Sequence, residues 1–399
     1  MSSVDSLSQS IVVIGLNAAL QKRFILPPST NLKPGNVHRA YKCETGVGGK
    51  GQDVGVALSC LMTTTDKKEA NDKVLLAQFL GKGPEGDQVS HILKTQHGLS
   101  DTLTIRNNSP LRTCTTIVGA DEATELVETS GEVTPDEMKL LQDKIDTLTT
   151  KNGKANCICI MGSMPPGCKD TTYSDLTKRL ASKDSLVLID SVIGLDPLLG
   201  VLKSIFEGDT KGGAVLKLNA AELCKLGGVD KLSGETAQVT AEELVASTKG
   251  FIKTYEDSIG ALDYLCITDG KFPGHVIEMP STSSGDLKII QLSAIDLSKD
   301  GTLYPIGAGD TVAASTLTAW QYLHHVSDGS DNDFFGVIPS NIGEQLSKKK
   351  SEWKENVMAT AFAYGLSCGS ASCLQEENSV FRVDDAGKYF EAMNRPVVQ

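Results

Sequence analysis

The 399-residue sequence has no run of about 18 apolar residues and no excess of positive charge. Without such a run, no membrane-spanning helix is predicted. The chain carries 38 basic and 50 acidic residues, giving a net charge of −12 with neutral histidines. This balance argues against a general nucleic-acid-binding surface, although a small basic pocket could still hold an anionic metabolite. Neither nucleic acid nor a membrane is therefore an expected partner.

Patterns typical of disulfide frameworks and zinc sites are also missing. No CxxC occurs, the six histidines form no HxxxH or HExxH, and His324 and His325 are direct neighbours that would point apart on a helix. The ten cysteines are scattered, with Cys157 and Cys159 inside an apolar run, which favours buried free thiols in a reducing compartment. Residues 1–10, MSSVDSLSQS, lack the basic and apolar regions of a secretory signal, so we expect a cytoplasmic protein.

The sequence does contain six short apolar runs separated by amphipathic stretches. Each run is short and rich in Val, Ile and Leu, as expected of parallel strands that are covered on both faces. One amphipathic stretch starts at Thr134-Pro135, an N-cap followed by proline at the first helical position. The alternation predicts one doubly wound α/β domain over about 10–396, without a clear internal boundary. The predicted strands are 10–16, 74–80, 156–162, 185–190, 214–218 and 263–268.

Two segments depart from this alternation. Residues 21–45 and 111–130 read as alternating strands without a crossover helix, and we interpret them as a small β-lid over one end of the main sheet. An exposed lid face could support a homodimer, although the sequence shows no decisive apolar stripe. The polar segments 63–73 and 325–352 are predicted to be surface loops, the latter an insertion.

The motif Gly307-Ala308-Gly309-Asp310 precedes a strongly predicted helix. Its glycines allow backbone N–H groups to converge at the positive end of the helix dipole, which would make an anion hole for a transferring phosphoryl group. Asp310 lies where it could accept a proton from an attacking hydroxyl. The alternative, given equal weight for this motif alone, is that Asp310 only caps the helix and the glycines only turn the chain.

The stretch 46–51, GVGGKG, satisfies the dinucleotide pattern GxGxxG only formally. The preceding residues 39–45 are polar rather than a buried strand, and no acidic strand end follows about 20 residues later. No Gly-Lys-Ser/Thr ends the motif, so the stretch is not the P-loop (Walker A motif) of nucleoside triphosphatases either. We interpret the stretch as backbone pressed close to a polyhydroxy ligand, with Lys50 offering a cation and Asp53 a hydroxyl acceptor.

Two further motifs follow predicted strands at the edge where open α/β sheets bind ligands. The first is GSMPPG at 162–167, and the second is KLNAAE at 217–222. Asn219 and Glu222 would be neighbours on one helical face, where they could arrange waters around a magnesium ion. The structural alternative is that Asn219 caps the helix and Glu222 completes a capping box.

Five motifs in fixed order, GGKG at 48–51, GSMPPG, KLNAAE, TDG at 268–270 and GAGD, make the chain resemble the ribokinase-like, phosphofructokinase-B-type carbohydrate kinases. The resemblance covers nearly the whole chain. Within this family, the chain is most similar to the 1-phosphofructokinase and tagatose-6-phosphate kinase branch, at Asn17, GGKG, Arg112-Thr113 and GSMPPG. The resemblance implies a ribokinase-like three-layer α/β/α sandwich with a central, mostly parallel sheet and a small β-sheet lid.

By the same resemblance, the chain is expected to transfer the γ-phosphoryl group of ATP to a hydroxyl of a phosphorylated ketohexose, of the fructose-phosphate or tagatose-phosphate type. Mg²⁺ with ATP is the implied cofactor, and a monovalent cation is left open. Lys50, Arg112 and Ser163 match positions that hold the existing phosphate of the sugar. The implied residues are Asp310, Gly307, Ala308 and Gly309 for catalysis; Asn17, Gln21, Gly48, Gly49, Lys50, Asp53, Arg112 and Ser163 for the sugar; Lys217, Asn219, Thr268 and Gly270 for the nucleotide; and Asn219 and Glu222 for the metal, through water.

Two sugar-contact positions depart from this branch. Gln21 stands where the branch usually has aspartate, and Asp53 where it usually has asparagine. Because a site built to bind hydroxyl groups discriminates through such pairs, the departures bear on which sugar is used. The alternatives are a kinase for an unphosphorylated sugar or a nucleoside, and a kinase-fold binding or regulatory protein without turnover. A dinucleotide-dependent enzyme is a distant fourth.

Overall fold

The computed structural model describes residues 7–62, 73–120, 123–208, 210–230, 237–280, 285–327, 337–354 and 356–399. The strands in these ranges are β1 Ile11–Asn17, β2 Ala19–Ile25, β3 Lys42–Gly48, β4 Val74–Gly81, β5 Thr104–Asn107, β6 Thr113–Val118, β7 Ala123–Val127, β8 Cys157–Met161, β9 Leu186–Asp190, β10 Gly213–Asn219, β11 Tyr264–Thr268, β12 Gly274–Glu278, β13 Lys288–Leu292 and β14 Val397–Val398. The helices are α1 Lys50–Met62, α2 Pro84–Thr95, α3 Pro135–Asn152, α4 Thr172–Leu180, α5 Leu195–Ile205, α6 Ala220–Leu226, α7 Ala241–Thr254, α8 Ala308–Ser327, α9 Ser340–Trp353, α10 Val357–Ser372 and α11 Val383–Ala392.

The main sheet of the described residues has ten strands, in the order β14-β13-β12-β11-β10-β9-β8-β1-β4-β5. The strands from β11 to β5 pair in parallel, whereas β12, β13 and β14 extend the β11 edge with antiparallel pairings. All six strands predicted from apolar runs belong to the parallel part. Their carboxyl ends therefore meet at one edge, where β8 and β9 place Met161 beside Asp190 and β10 and β11 place Asn219 beside Thr268.

Successive residues of the main strands face two different hydrophobic layers. Val13 packs into the layer formed with helices α1, α2, α8 and α10, whereas its neighbour Val12 packs into the layer formed with α3, α4, α5 and α7. This alternation follows from the two-residue period of a strand. The prediction of a three-layer α/β/α sandwich with a mostly parallel sheet is confirmed.

A second, four-stranded sheet in the order β3-β2-β6-β7 forms the lid. Its first strand, β2, follows β1 after the single residue Ala18, so the lid begins directly at the carboxyl edge of the main sheet. The lid is mixed, because β2 and β6 are parallel while the other pairings are antiparallel. On its edge strand β7, Leu126 is 57% and Val127 54% exposed, and as neighbours in a strand they face opposite sides of the lid.

The predicted surface loop over 325–352 is wrong in its second half. Residues Ser340–Trp353 form helix α9, whose Ile342, Leu346 and Trp353 are buried at helical spacing among charged residues that mask the pattern. Residues 328–336 of that prediction lie outside the described residues, as do residues 63–72 of the other predicted loop.

Helix α3 begins where its local sequence predicts it. Thr134 caps α3 with a capping box that includes Glu137, and proline occupies the first helical position. Six of the ten cysteines, including Cys157 and Cys159, are buried thiols, whereas Cys43 is exposed. None of the helices in the described ranges is both long and apolar enough to cross a membrane.

Candidate active site

A cavity of about 570 Å³ lies where the carboxyl edge of the main sheet meets the lid. Its walls come from β1, α1, the lid strands, the loops after β8 and β9, and the start of α8. Ten of the residues that the sequence singled out line it together, although they come from distant parts of the chain. These are Asn17, Gln21, Gly49, Lys50, Asp53, Arg112, Ser163, Glu222, Gly307 and Asp310.

The other predicted site residues lie beside this cavity rather than in its wall. Gly48 packs against Gln21, and a Cβ atom built on Gly309 would lie 3.3 Å from Nζ of Lys217. Asn219 and Thr268 are register partners at the ends of β10 and β11, and Gly270 adopts a φ of 60° in the turn that follows. Ala308 is the first residue of α8. Of the residues predicted to bind nucleotide, Lys217 thus lies next to the first turn of α8, while Asn219 and Thr268 end adjacent strands at the carboxyl edge of the sheet.

Asp310 lies in the first turn of α8, which begins at Ala308 rather than after the motif. Gly307 has a φ of 81°, a conformation that glycine adopts without strain, and its carbonyl accepts hydrogen bonds from the hydroxyls of Ser379 (2.9 Å) and Thr311 (3.0 Å). Because Asp310 is inside the helix, the alternative that it serves as the N-cap residue is wrong. Gly307 and Asp310 line the cavity, so the first turn of α8 lies in its wall, where a helix N-terminus favours an anion. The N–H of Ala308 donates to the Pro305 carbonyl at 3.2 Å.

The carboxyl group of Asp310 is buried, with 8% of the residue exposed. Burial raises its pKa to about 7; the charges of Asp190 and Glu222 add to the shift, and those of Lys50 and Lys217 oppose it. A carboxyl group that titrates near neutrality is well matched to accept a proton from a hydroxyl. The role of Asp310 as a base stays a prediction.

A buried ion-pair cluster next to Asp310 contains a residue that the sequence reading missed. Asp190, at the end of β9, accepts hydrogen bonds from Nζ of Lys50 at 2.7 Å and from Nζ of Lys217 at 2.6 Å. Burial alone would raise the pKa of Asp190, but the two ammonium groups hold it below its ordinary value. A sequence signal for it exists, since an acid that ends a buried parallel strand lies at the ligand-binding edge.

Another acid in the cavity wall, Asp53, lies in the first turn of α1, just after the glycine-rich stretch. It is 6% exposed, and its Oδ1 is buried without a hydrogen-bond partner among the described residues. Burial, followed by the charge of Asp310, raises its pKa well above the ordinary value, against the opposing charge of Arg23. A carboxyl group in this environment can satisfy its free oxygen with a ligand hydroxyl.

Hydrogen bonds from side chains order the part of the cavity wall where β1 meets the lid. Asn17 donates from Nδ2 to the hydroxyl of Ser163 at 2.9 Å, and Nη2 of Arg112 donates to the Asn17 carbonyl at 3.0 Å. Gln21 donates from Nε2 to the Thr116 hydroxyl at 2.7 Å. Arg112 therefore presents a guanidinium group whose orientation is fixed by backbone while its charge faces an acid-lined cavity.

Asn219 and Glu222 form the capping box that was the structural alternative for this motif. Oδ1 of Asn219 accepts from the Glu222 N–H at 2.8 Å, and Oε2 of Glu222 accepts from the Asn219 N–H at 2.9 Å. The other oxygen, Oε1 of Glu222, lies 4.0 Å from Nζ of Lys50, and Glu222 lines the cavity. The cap therefore orients the carboxylate and leaves one oxygen directed towards the cavity.

Carboxylate and amide oxygens suit a hard cation such as Mg²⁺. Within the ranges that the structure describes, no three His, Cys, Asp or Glu side chains form a metal-ligating group. These donors would fit a magnesium ion held mainly by phosphate and water, with Glu222 at its water shell, because Mg²⁺ usually keeps several waters.

Another residue that sequence reasoning missed is Asn378, in the segment between α10 and α11. It lines the cavity and accepts a hydrogen bond from the buried guanidinium of Arg23 on β2, which also pairs with Glu44 at 3.5 Å. No local pattern marks Asn378, since its role depends on the lid strand that folds onto it. The lid and the segment that supports Gly307 are thereby joined.

Solved structures with the same fold cover nearly the whole chain. Phosphofructokinase-2 from Escherichia coli in complex with potassium is 15% identical, with 96% of this chain and 98% of that chain covered and a TM-score of 0.62. A possible 1-phosphofructokinase from Thermotoga maritima is 15% identical, with 98% and 99% covered and a TM-score of 0.60. Ribokinase from Thermotoga maritima is 13% identical, with 96% and 99% covered and a TM-score of 0.59.

No curated protein matches the sequence. The model of the pfkB family of carbohydrate kinases, however, matches residues 8–262, well over half of the chain. That segment contains the GGKG, GSMPPG and KLNAAE motifs and most of the main sheet. The chain therefore belongs to the pfkB family of carbohydrate kinases and is an ATP-dependent carbohydrate kinase.

Proposed function

We propose that this kinase transfers the γ-phosphoryl group of ATP to a hydroxyl of a phosphorylated ketohexose, of the fructose-phosphate or tagatose-phosphate type. The observation that carries the proposal is that two cationic side chains, Lys50 and Arg112, line the same cavity as Asp310. An ammonium, a guanidinium and the Ser163 hydroxyl make a suitable grip for a phosphate group in an otherwise acidic protein.

Asp310 acts as the general base in this proposal. Its carboxylate takes the proton of the acceptor hydroxyl while the hydroxyl oxygen attacks the γ-phosphorus and the bond to the β-phosphate oxygen of ADP breaks. The N–H groups at the start of α8, with Gly307, Ala308 and Gly309, stabilise the charge on the transferring group.

The nucleotide lies along the ends of β10 and β11 in this proposal, with Lys217, Asn219, Thr268 and Gly270 around it. Sugar kinases of this family use ATP with Mg²⁺. In this chain, Asn219 and Glu222 would hold the ion through its water shell, and the ion would neutralise phosphate charge. The E. coli neighbour was solved with potassium, which supports testing a monovalent cation here as well.

Gln21 and Asp53 face the acceptor in this proposal and set the preference among sugars. Gln21 is tied to Thr116, whereas Asp53 has a buried oxygen without a partner in the described part of the chain. A sugar hydroxyl that reaches Asp53 would remove this unpaired polar group, so sugars without a hydroxyl at that position should be rejected.

An unphosphorylated sugar is the second candidate acceptor. The observation in its favour is that Lys50 already has a carboxylate partner, Asp190, at 2.7 Å, so a sugar phosphate must compete for this ammonium. Among the described contacts, Arg112 donates only to the backbone carbonyls of Ala18 and Asn17, so no carboxylate competes with a phosphate for its guanidinium, which favours the phosphorylated acceptor.

The test is ADP release with Mg²⁺–ATP across fructose 1-phosphate, fructose 6-phosphate, tagatose 6-phosphate, the free sugars and adenosine. We expect turnover with one ketohexose phosphate and its loss in Asp310→Asn. Turnover confined to a free sugar or to adenosine would overturn the acceptor class. ATP binding without turnover on any acceptor would favour a binding protein, and unchanged turnover in Asp310→Asn would remove Asp310 as the base.

A further inference from the structure

We propose that Asp190 is a positioning residue that holds the two ammonium groups of the phosphoryl-transfer centre, Lys50 and Lys217, at fixed places on either side of one buried carboxylate. This inference rests on the proposed function, in which Lys50 serves the acceptor and Lys217 the nucleotide. It assigns a role to a residue that belongs to none of the five sequence motifs.

The geometry of the cluster is that of a bridge. Oδ1 of Asp190 is 2.7 Å from Nζ of Lys50, and Oδ2 is 2.6 Å from Nζ of Lys217. The side chain of Asp190 is only 3% exposed, and that of Lys217 only 7%. Each carboxylate oxygen therefore serves one lysine, and the three side chains connect α1, β9 and β10.

Both lysines occupy positions that disfavour a positive charge without such a partner. Lys50 is the first residue of α1, where the positive end of the helix dipole opposes an ammonium group. Lys217 lies within β10, which is buried along nearly its whole length. A buried ammonium without a counterion is strongly destabilising, so Lys217, which is 7% exposed, depends on Asp190. Lys50 is 41% exposed, and for it the carboxylate fixes the position of the ammonium group against the helix dipole.

The positions of the two ammonium groups explain why their spacing matters for transfer. Nζ of Lys50 is 4.0 Å from Oε1 of Glu222, and Lys50 shares the cavity wall with Asp310. Nζ of Lys217 lies against Gly309, under the loop that would bind the transferring group. Asp190 thus keeps one cation on the acceptor side and one on the nucleotide side, within reach of incoming phosphate oxygens.

The charged groups around Lys50 come from several elements. The acids that face it and raise its pKa, against the lowering effect of burial, are Asp190 from β9, Asp310 from α8 and Glu222 from α6. Of these, only Asp190 makes a hydrogen bond to its Nζ among the described contacts. Removing that bond should therefore make the Lys50 amine more reactive, while Asp310 and Glu222 remain close to it.

The test is competitive lysine acetylation with acetic anhydride at pH 8, read by mass spectrometry, on the full chain. The side chain of Lys50 is 41% exposed, and that of Lys288, paired with Glu278 away from the cavity, is 43% exposed. Both amines are paired, but Asp190 is only 3% exposed whereas Glu278 is 31% exposed, so Lys50 should leave its pair less often. Because a protonated, paired amine is a poor nucleophile, we expect Lys50 to react about fivefold more slowly than Lys288 in the wild type. In Asp190→Asn the ratio should approach one.

Two variants separate this role from a general effect on folding. Asp263→Asn alters another largely buried carboxylate, which accepts from the Ala214 N–H at 2.9 Å outside the cavity, and should leave the Lys50 ratio unchanged. Asp190→Glu keeps the charge and should restore part of the protection. An unchanged Lys50 ratio in Asp190→Asn, or an equal shift in Asp263→Asn, would overturn the inference.

If Asp190→Asn does not fold, the Lys50-to-Lys288 labelling ratio of the wild type still tests the role of Asp190. Equal labelling of the two lysines would overturn the inference. A failure of the proposed function has a different signature, namely unchanged turnover in Asp310→Asn. Loss of turnover in Asp310→Asn with an unaltered Lys50 ratio in Asp190→Asn would reject only the role of Asp190.

Discussion

The main sheet and the lid are built by different means, and each contributes a different part of the cavity. Strands β8, β9 and β10 are buried almost throughout, and the polar groups at their ends are fixed by ion pairs and caps. The lid strand β7 is mostly exposed, and the lid combines a neutral hydrogen bond, from Gln21 to Thr116, with an ion pair between Arg23 and Glu44. The rigid sheet edge therefore suits phosphoryl transfer, while the lid suits recognition of the acceptor.

The largest expected effect is at the sheet side. Asp310→Asn should lower kcat by about 10²–10⁴-fold, because the general base is lost while the cavity keeps its shape. Asp263→Asn, at the other end of the sheet and outside the cavity, is the matched control and should retain turnover. The measurement is steady-state ADP release with the accepted sugar phosphate, and equal activity of the two variants would contradict the role of Asp310.

The second prediction compares the stability of the two sheets. Ile160→Ala in β8, where the side chain is fully buried, should lower the free energy of unfolding by about 2–5 kcal/mol. Leu126→Ala in β7, where 57% of the residue is exposed, should change it by less than about 0.5 kcal/mol. Urea titration of both variants decides this, and similar losses would show that the exposed face of the lid is covered in solution.

The third prediction concerns recognition of the acceptor by the lid. Arg112→Met should raise KM for the phosphorylated acceptor by about 10–100-fold, the usual worth of a hydrogen bond to a charged group, and leave KM for ATP unchanged. The control is Arg106→Met in β5. The guanidinium of Arg106 donates to Asp87 and to the Gly81 carbonyl, outside the cavity. A rise in KM for ATP alone would place Arg112 on the nucleotide side instead.

The smallest effect is a pH dependence set by Asp310, whose pKa is raised to about 7 by burial. The base must be ionised, so kcat/KM should rise about tenfold per pH unit below 7 and level off above it.

The same raised pKa affects stability. The folded state binds the proton of Asp310 more tightly than the unfolded state, so Asp310 lowers the free energy of unfolding increasingly from pH 4 to 7. Asp310→Asn should therefore unfold at a higher temperature than the wild type at pH 8, and an equal Tm at that pH would contradict the shift.

The fold was predictable wherever one local signal sufficed. Parallel strands such as β8 are continuous apolar runs, and α3 begins with an N-cap and a proline, so both could be placed from the sequence. Helix α9 was missed because charged residues mask its three buried apolar positions, and the antiparallel extension by β12–β14 has no comparable signal. These elements depend on packing between distant parts of the chain.

The site shows the same division. GAGD and KLNAAE could be identified because glycine and capping requirements restrict the local sequence, and the structure brings both motifs to the cavity edge. Asp190 and Asn378 were missed because their partners, Lys50, Lys217 and Arg23, come from other elements. Asp190 does carry one local signal, as an acid at the end of a buried strand, whereas Asn378 carries none.

The most direct measurement is ³¹P NMR of the wild-type enzyme with Mg²⁺–ATP and each of the three ketohexose phosphates. We expect one of them to gain a second phosphomonoester resonance as ADP appears, and the same sample with Asp310→Asn to stay unchanged. ATP left intact with all three, together with a new phosphomonoester from a free sugar or adenosine, would contradict the proposal that the cavity between sheet and lid phosphorylates a phosphorylated ketohexose.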